Sequence, residues 1–499
     1  MKTKNKQKIG FDSKKYLKLQ SEKILERINQ FNNKLYLEFG GKLFDDLHAC
    51  RVLPGFDPNI KTKLLTTLKD KAEIVFCISA NDIEKNRIRS DLGISYDNEV
   101  LRLIDNLREL DLYVSAIVIT LFKGQPSAVK FAERLQEHGE RVYFHKYTKG
   151  YPSDVETIVS DEGYGANPYI ETTRPLIVVT APGPSSGKLA TCLSQLYHDY
   201  KRGVKAGYAK FETFPVWNLP LKHPVNIAYE SATADIKDIN QIDPYHFSEY
   251  GELTINYNRD IEAFPVVKNI MKKITGMVPY KSPTEMGVNM VASAIVDEEV
   301  VAESAKKEII RRYFRAEGDY KRGKASFDTV ERNRYLMSEL DLDPNSLETV
   351  PFAKDLAKTC GYPCVALKLP CGKIVAGKNK TMVSAGGAVV LNALRNLAGL
   401  NDDFDIIADD ILLPIVKLKR DILKSKTCVL TIDDILIALS ISAEHNKKAQ
   451  KAIEKIPELW GCEAHSTYLL SPAEEITLKR LGIHITSEPH FLGGNLFED

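Results

Sequence analysis

The sequence has few cysteines, no long apolar run and almost no net charge, and each shortage excludes a class of protein. Eight cysteines in 499 residues cannot form the dense disulfide framework of small secreted domains. No apolar run approaches the roughly 18 residues that suggest a membrane span, so we expect no membrane partner. Lysine and arginine number 68 against 67 acidic residues, which removes any overall attraction for nucleic acid.

Targeting and metalloprotease signals are also missing. The first residues, MKTKNKQKIGF, are basic but lack the apolar core of a secretory signal, so we expect a cytoplasmic protein. The pattern H-E-x-x-H does not occur, which removes the support for a zincin-type protease. Cys360, Cys364 and Cys371 form a cysteine cluster, but a zinc site needs a fourth ligand and closer pairs, so we expect no metal there.

What is present is a hydrophobic content of 43%, arranged as short apolar runs between helical patterns. This alternation predicts an α/β fold with a mainly parallel sheet, and the length predicts two or three domains. We place an α/β domain at residues 1–287, a helical segment at 288–344 and a second, smaller α/β domain at 345–499. The predicted strands of the first domain are 73–79, 113–120, 141–145, 176–180 and 206–211.

The most informative segment is PLIVVTAPGPSSGKLAT, residues 175–191, in which an apolar strand pattern breaks into a turn that opens an amphipathic helix. A helix start offers backbone N–H groups without intrahelical partners and favours an anion. A lysine there opposes the helix dipole unless an anion is bound. We therefore predict a phosphate or nucleotide cradle formed by Gly183, Ser185, Ser186, Gly187 and Lys188.

The same segment is also compatible with a plain strand-to-helix turn. Of the P-loop pattern G-x-x-x-x-G-K-[ST], only Gly187 and Lys188 are in place, and Leu189 replaces the hydroxyl that binds magnesium. Either Ser185 or Ser186 can cap the helix. The segment therefore does not identify the cofactor, and a magnesium-bound nucleotide is one candidate.

Polar side chains near other strand ends supply candidate catalytic and substrate-binding groups, because ligands of open α/β sheets bind beyond the carboxyl ends of strands. We name Lys188, His48, Glu230 and Asp235 as candidate catalytic residues, with His48 as a proton carrier. Solvated surface charge and helix capping are the alternatives. The candidate substrate-binding residues are Lys42, Arg51, Arg87, Arg89, Glu212 and Thr213.

Two places in the C-terminal part also need weighing. The run GKNKTMVSAGGA, residues 377–388, is compatible with a second anion site or, more simply, with a capped and tightly packed helix that begins near Ser384. Cys462 and His465 could form a thiolate and its base, which would make the protein a thiol-dependent hydrolase or transferase.

Several segments together resemble one bacterial family: LYLEFGGKLFDDLHACRVLPGF, DIEKNRIRSDLGISYDNEVLRLID, VVTAPGPSSGKLATCLSQLYHD, YKSPTEMGVNM and GCEAHST. The chain is identified as a member of the domain of unknown function family 1846, also called uncharacterised protein family 0371. The resemblance covers nearly the whole chain. It implies a multidomain α/β bacterial protein and transfers no mechanism.

The leading hypothesis is an enzyme that binds a nucleotide or a phosphorylated small molecule at residues 183–188 and catalyses phosphoryl transfer or hydrolysis. A thiol-dependent enzyme built on Cys462 and His465 is the first alternative. A non-catalytic binding protein, assembled as a homo-oligomer through the helical segment 288–344, is the second.

Overall fold

The structure is a computed structural model. It describes residues 8–44, 46–89, 93–379, 382–401, 406–425 and 428–493. It divides into two compact units, Lys8–Ala305 and Lys306–Asp499. The division falls inside the predicted helical segment 288–344, and the three-part division stays a prediction.

The N-terminal unit contains eleven strands in its described residues. They are β1 (Leu35–Phe39), β2 (Ala72–Ser79), β3 (Ile88–Arg89), β4 (Ile94–Ser95), β5 (Val114–Thr120), β6 (Val142–Phe144), β7 (Leu176–Thr180), β8 (Gly207–Phe211), β9 (Asn240–Ile242), β10 (Ile255–Tyr257) and β11 (Gly287–Val288).

Helices connect these strands. They are α1 (Ser13–Gln30), α2 (Leu47–Val52), α3 (Ile60–Thr67), α4 (Ala80–Glu84), α5 (Tyr96–Glu109), α6 (Pro126–Glu137), α7 (Val155–Ile158), α8 (Lys188–Lys201), α9 (Pro224–Ala232), α10 (Pro244–Tyr250), α11 (Asn258–Thr275), α12 (Pro283–Met286) and α13 (Val291–Ala294).

Seven of the strands form one parallel sheet in the order β11-β8-β1-β7-β2-β5-β6, which confirms the predicted mainly parallel α/β fold. The five predicted strands all lie in this sheet. Strand β1, LYLEF, is not among the predicted strands because Glu38 interrupts its apolar run, yet all five of its residues are buried.

Side chains alternate between the two faces of the sheet and form a separate apolar core on each. On one face Leu37 and Val178 pack with Leu64 of α3. On the other face Tyr36 and Val179 pack with Leu193 of α8, among other residues. Helices therefore cover both faces, which is the reason why the central strands are almost entirely apolar.

The C-terminal unit has a smaller, mixed sheet, which confirms the prediction of a second, smaller α/β unit. Its order is β13-β12-β14-β15, and only the β14–β15 pair is parallel. Helix α14 contains the boundary between the two units. The elements are α14 (Glu298–Lys321), α15 (Phe327–Ser338), α16 (Thr349–Cys360), β12 (Cys364–Lys368), β13 (Ile374–Lys378), α17 (Ala385–Leu397), α18 (Asp409–Lys417), α19 (Ile432–Ala443), α20 (Lys447–Ile453), β14 (Glu463–Ser466), α21 (Pro472–Arg480) and β15 (His484–Ser487).

Candidate functional site

The loop between β7 and α8 begins its helix without a side-chain cap. Gly187 is the N-cap residue, with a left-handed φ of 80°, and no side chain accepts a hydrogen bond from the first turn of α8. The expected serine cap is therefore wrong. Ser186 is buried and donates its hydroxyl proton to the Gly183 carbonyl at 2.8 Å, while Ser185 is exposed with a φ of 57°. Ser186 thus shapes the loop from within.

Two neighbouring elements hold this loop in place. A Cβ atom on Gly183 would lie 2.5 Å from the ring of Tyr96, the first residue of α5, so the loop backbone rests directly on that ring. Thr120, at the end of β5, donates its hydroxyl proton to the Ser186 carbonyl at 2.9 Å. The loop conformation is therefore set before any ligand binds, which lowers the entropy cost of binding.

The loop leaves a run of backbone N–H groups for a ligand. Within the described residues, no hydrogen bond is donated by the backbone N–H of Gly183 or of residues 185–190. Lys188 is partly exposed and forms no ion pair with the described part of the chain; its charge acts on the nearby thiols of Cys77 and Cys192. Free N–H groups, a helix start and a lysine together fit an anion.

The loop also lies where the connections of the sheet diverge. Strands β1 and β7 are neighbours, but the chain leaves β1 toward α3 on one face and leaves β7 toward α8 on the other. Such divergence opens a crevice at the carboxyl ends of the two strands, where ligands of open α/β sheets bind. By this rule, the expected ligand position is between the loop 181–187, which follows β7, and Gly40–Gly41, which follow β1.

A buried cluster of charges lies at the carboxyl ends of β1 and β8. Lys210 pairs with Glu212 at 2.7 Å and also with Asp260 of α11. Tyr208 donates its phenolic proton to Glu38 at 2.7 Å, and Glu38 is directly opposite Val179 of β7 in the sheet. The cluster of Glu38, Lys210, Glu212 and Asp260 therefore places three carboxylates around one ammonium group.

Burial and the neighbouring carboxylates favour the protonated form of Glu212. Desolvation raises the pKa of this carboxyl group to about 7, with Asp260 and Glu38 adding to the effect and Lys210 opposing it. The carboxylates around Lys210 raise the pKa of its ammonium group despite burial. A carboxyl group that titrates near neutrality can both give and accept a proton at physiological pH.

Sequence reasoning placed Glu212 among the substrate-binding residues and missed Glu38, Lys210 and Asp260. Glu38 could have been found from its position near the end of a strand, had LYLEF been assigned as one. Asp260 carries no such signal, since it reaches the cluster from a helix that begins about fifty residues after Lys210.

The residues predicted after β1 are spread over two elements. Lys42 is exposed, Arg51 lies in α2, and the His48 ring packs edge-on against Phe214 and Tyr229 at 5.6 and 5.7 Å between centroids. Thr213 is buried and its hydroxyl faces that of Tyr16. His48 and Thr213 thus belong to an aromatic environment next to the β1 loop.

Beneath the β1 loop lies an ion pair that sequence reasoning did not identify. Lys61 is 2% exposed and its Nζ lies 2.9 Å from Oδ2 of Asp46. Burial alone would raise the pKa of Asp46, but the charge and hydrogen bond of Lys61, the charge of His48 and the Ala49 N–H together lower that pKa. The pair anchors α3 to the residue that caps α2.

Arg87 contacts Tyr96, the residue whose ring supports the loop between β7 and α8. Its guanidinium lies 5.1 Å from the centre of the Tyr96 ring that supports Gly183, and it pairs with Asp82 at 3.2 Å. Arg89 lies in β3, and its side chain is outside the described residues.

Glu230 and Asp235 lie after β8, on α9 and the turn that follows it. The carboxylate of buried Glu230 accepts a hydrogen bond from the Asn240 N–H at 3.3 Å, and Asp235 is exposed on a 3-10 turn. None of these contacts connects them with the loop, and their catalytic role stays a prediction.

The structure does not bring Cys462 and His465 together, so the predicted thiolate and base pair is wrong. Cys462 packs with Ala464 in the core on one face of the C-terminal sheet, while His465 points to the other face and packs against Phe314. Burial raises the pKa of Cys462 to about 12, which suppresses the thiolate. Neighbours in an extended strand alternate in direction, and a separation of three residues puts the two side chains on opposite faces.

Ser384 caps the start of α17, which confirms the packing interpretation for the described part of residues 377–388; Lys380 and Thr381 lie outside the described residues. Ser384 accepts a hydrogen bond from the Gly387 N–H at 3.0 Å and donates one to Glu474 at 2.5 Å. A Cβ on Gly377 would lie 2.2 Å from the Ala385 carbonyl oxygen, so strand β13 and helix α17 pack backbone against backbone.

The described residues also contain a cavity that lies apart from the predicted site residues. A cavity of about 220 Å³ in the N-terminal unit is lined by Lys23, Arg27, Trp217, His246 and Glu252 among others, and by none of the predicted site residues. Within the described residues, no group of three His, Cys, Asp or Glu side chains could hold a metal ion. No helix in that part of the chain is long and apolar enough to cross a membrane.

The N-terminal unit is thus an open, parallel α/β fold with a glycine-containing turn at the point where its connections diverge. The chain belongs to the DUF1846 family: its N-terminal domain of unknown function matches residues 9–341, and the C-terminal domain matches residues 345–497. A UPF0371 protein of Clostridium tetani (strain Massachusetts / E88) is 55% identical over 499 residues, covering 98% of this chain and 99% of the relative. One from Clostridium botulinum (strain Alaska E43 / Type E3) is 54% identical over 501 residues, with the same coverage.

Proposed function

We propose that the protein is a cytoplasmic enzyme that binds a phosphorylated small molecule or a nucleotide at residues 183–188 and transfers or hydrolyses its phosphoryl group. The observation that carries the proposal is the run of N–H groups at residues 185–190 that have no partner in the described part of the chain, next to Lys188 and at the diverging connections of β1 and β7. Backbone N–H groups and a lysine are the groups that hold phosphate in loops of this kind.

In this proposal the loop supplies charge and position, and the cluster of Glu38, Lys210, Glu212 and Asp260 supplies proton transfer. The loop N–H groups and Lys188 offset the negative charge on the phosphoryl oxygens. Glu212, with its pKa near 7, takes the proton of the attacking hydroxyl group or water. His48 remains the second candidate for this role.

The ligand class covers nucleotides with or without magnesium. Leu189 offers no oxygen for Mg²⁺, whereas the carboxylate of Glu38 is an oxygen ligand of the kind that Mg²⁺ prefers. The balanced charge of 68 basic and 67 acidic residues supports a small phosphorylated partner over nucleic acid or a membrane surface. A homo-oligomer is compatible with this function.

The test is a thermal-shift screen of inorganic phosphate, nucleotides and sugar phosphates on the full chain. A ligand that binds only the folded protein stabilises it by RT ln(1 + [L]/Kd), or about 2.7 kcal/mol at a hundredfold excess over Kd. We expect at least one phosphate ester to raise Tm in a concentration-dependent manner, and Lys188→Ala to abolish this response. Lys201→Ala is the matched control, because it removes the same charge from the other end of α8.

Three results would contradict the proposal. If no phosphorylated compound shifts Tm, or if Lys188→Ala responds as the wild type does, the loop is a plain turn. If a ligand binds but none is turned over, the protein is a binding protein and not an enzyme. Glu212→Gln distinguishes the two roles, since we expect it to lower turnover while leaving the Tm shift intact.

A further inference from the structure

Two cysteines of the C-terminal unit meet at the junction of α16 and β12, in the sequence CGYPC. Cys360 is the last residue of α16, and Cys364 is the first residue of β12. Gly361 turns the chain back at the helix end with a left-handed φ of 71°. This turn brings the second cysteine back toward the first.

The two sulfur atoms are in contact. The Sγ atoms of Cys360 and Cys364 lie 3.6 Å apart, and the Cys364 thiol also donates a hydrogen bond to the Tyr362 carbonyl at 3.2 Å. Cys360 is partly exposed and Cys364 is buried. The Cys360 thiol is therefore accessible to a reagent in solution, and the buried Cys364 thiol is in contact with it.

The two thiols differ in acidity in the direction that thiol exchange requires. Partial burial opposes ionisation of Cys360, but hydrogen bonds from the Tyr362 backbone and the Cys364 thiol, together with the charge of Lys378, lower the pKa of Cys360 below its ordinary value. Burial, and then the neighbouring Cys360, raise the pKa of Cys364. The exposed sulfur is thus the better nucleophile at neutral pH.

We propose that Cys360 and Cys364 are a redox-active dithiol that forms a reversible disulfide by exchange with low-molecular-weight disulfides. The surrounding structure holds the resolving residue in place. The Cys364 N–H donates to the Thr467 hydroxyl at 3.0 Å, and the Thr467 N–H donates to the Cys364 carbonyl at 3.0 Å. A disulfide needs a separation of about 2.05 Å, so only a small approach of Cys360, at the end of its helix, is required.

The exchange takes place in two balanced steps. The Cys360 thiolate attacks one sulfur of a disulfide RSSR, forms a mixed disulfide and releases RS⁻. The Cys364 thiol then loses its proton and attacks the Cys360 sulfur, which releases the second RS⁻. The protein gives up two electrons and two protons in total, and RSSR becomes two RSH.

The experiment treats the reduced full chain with oxidised glutathione, alkylates the remaining thiols and maps tryptic peptides by mass. Residues 359–368 form one peptide that contains both cysteines, and Cys371 lies in the next, residues 369–373. We expect the first peptide to appear with an internal disulfide, its alkylation to fall about tenfold, and a reducing agent to restore it.

Three variants separate the roles of the thiols. Cys364→Ser should stop the reaction at a mixed disulfide on Cys360, and Cys360→Ser should leave the pair without any glutathione adduct or disulfide. Cys371→Ser should react as the wild type does, because Cys371 is exposed beyond the other end of β12. Circular dichroism of each reduced variant verifies the fold.

The proposal is overturned if the wild type accumulates an unresolved mixed disulfide on Cys360. It is equally overturned if the 359–368 peptide stays fully alkylated under conditions that modify Cys371. The initial rate of Cys360 alkylation in the untreated wild type gives a second readout: it should exceed that of Cys371, and an equal or slower rate contradicts the assignment of Cys360 as the attacking thiol.

Discussion

The loop before α8 and the turn before α17 are built from the same residue types, yet one is open and the other is closed on itself. Both combine glycine, serine and lysine at a helix start. Before α17, Ser384 caps the helix and binds the Glu474 carboxylate at 2.5 Å, so the protein's own anion lies at the helix start. Before α8, Gly187 replaces the cap and the N–H groups of residues 185–190 have no partner in the described chain.

This difference shows that composition does not distinguish an open helix start from a capped one. A serine at the N-cap satisfies the N–H groups that a ligand would need. A glycine in the left-handed conformation redirects the chain and leaves those groups open. The choice depends on one backbone conformation and on whether a carboxylate from elsewhere, here Glu474 of α21, reaches the helix start.

The largest effect that separates the two sites is expected for Ser384→Ala. The change removes the cap of α17 and one of the two serine hydroxyl groups that bind the buried Glu474, those of Ser384 and Ser471, which should lower the free energy of unfolding by about 3 kcal/mol. Urea unfolding measures this value. Ser186→Ala, which removes one hydrogen bond within the other loop, should cost only about 1 kcal/mol. Equal losses would mean that Glu474 does not depend on Ser384.

A smaller loss is expected for Gly183→Ala in the open loop. The new Cβ would meet the Tyr96 ring at 2.5 Å, which should cost about 1 to 2 kcal/mol and displace the loop. The Tm response to a phosphate ester should weaken with it. Gly386→Ala in α17 is the control, because its Cβ would meet Ile432 at 3.0 Å inside a helix that favours alanine. A full ligand response in Gly183→Ala contradicts the role of the loop shape.

A pH dependence should reveal the Glu212 carboxyl group in the cluster of charges at the carboxyl ends of β1 and β8. The pKa of Glu212 is about 7 in the folded protein against 4.5 in a model peptide. The folded state therefore holds a proton that the unfolded chain releases, and the free energy of unfolding should fall as the pH rises from about 4.5 to 7. Glu212→Gln should reduce this slope in urea unfolding at a series of pH values, and parallel curves for both proteins would refute the assignment.

The smallest effect is expected for Ser185→Gly. Ser185 is exposed with a φ of 57°, a conformation that glycine adopts without strain, so stability should rise by about 0.5 kcal/mol. The ligand response should stay as it is, since the loop shape is retained. A clear loss of stability in thermal unfolding would show that the serine side chain has a partner in solution.

Prediction from the sequence succeeded for elements whose pattern is local. The strands β2, β5, β6, β7 and β8 were predicted within two residues at each end, because each is a short apolar run between turns or helical patterns. Strand β1 was missed because the charged residue Glu38 interrupts the apolar pattern of a fully buried strand. The buried carboxylate accepts a hydrogen bond from Tyr208, which lies on a strand far along the chain.

The candidate site was predicted in part for the same reason. The loop 183–188 and Glu212 follow apolar strands and could be named from position alone. The ion pair between Asp260 and Lys210 could not be predicted, because a helix and a strand separated by about fifty residues meet only in the folded chain. The pairing of Cys462 with His465 failed because proximity along a strand places side chains three residues apart on opposite faces.

By itself, the sequence determined an α/β protein with a glycine- and serine-containing turn between a strand and a helix, since apolar periodicity and turn residues act over a few neighbouring positions. Tertiary structure alone decided that the turn before α8 stays open while the turn before α17 is filled by Glu474. It also decided that three carboxylates surround the ammonium group of Lys210. It brought the Cys360 and Cys364 side chains into contact and directed the Cys462 and His465 side chains to opposite faces of the sheet. These outcomes depend on contacts between elements distant in the chain and on the direction in which each side chain leaves its backbone.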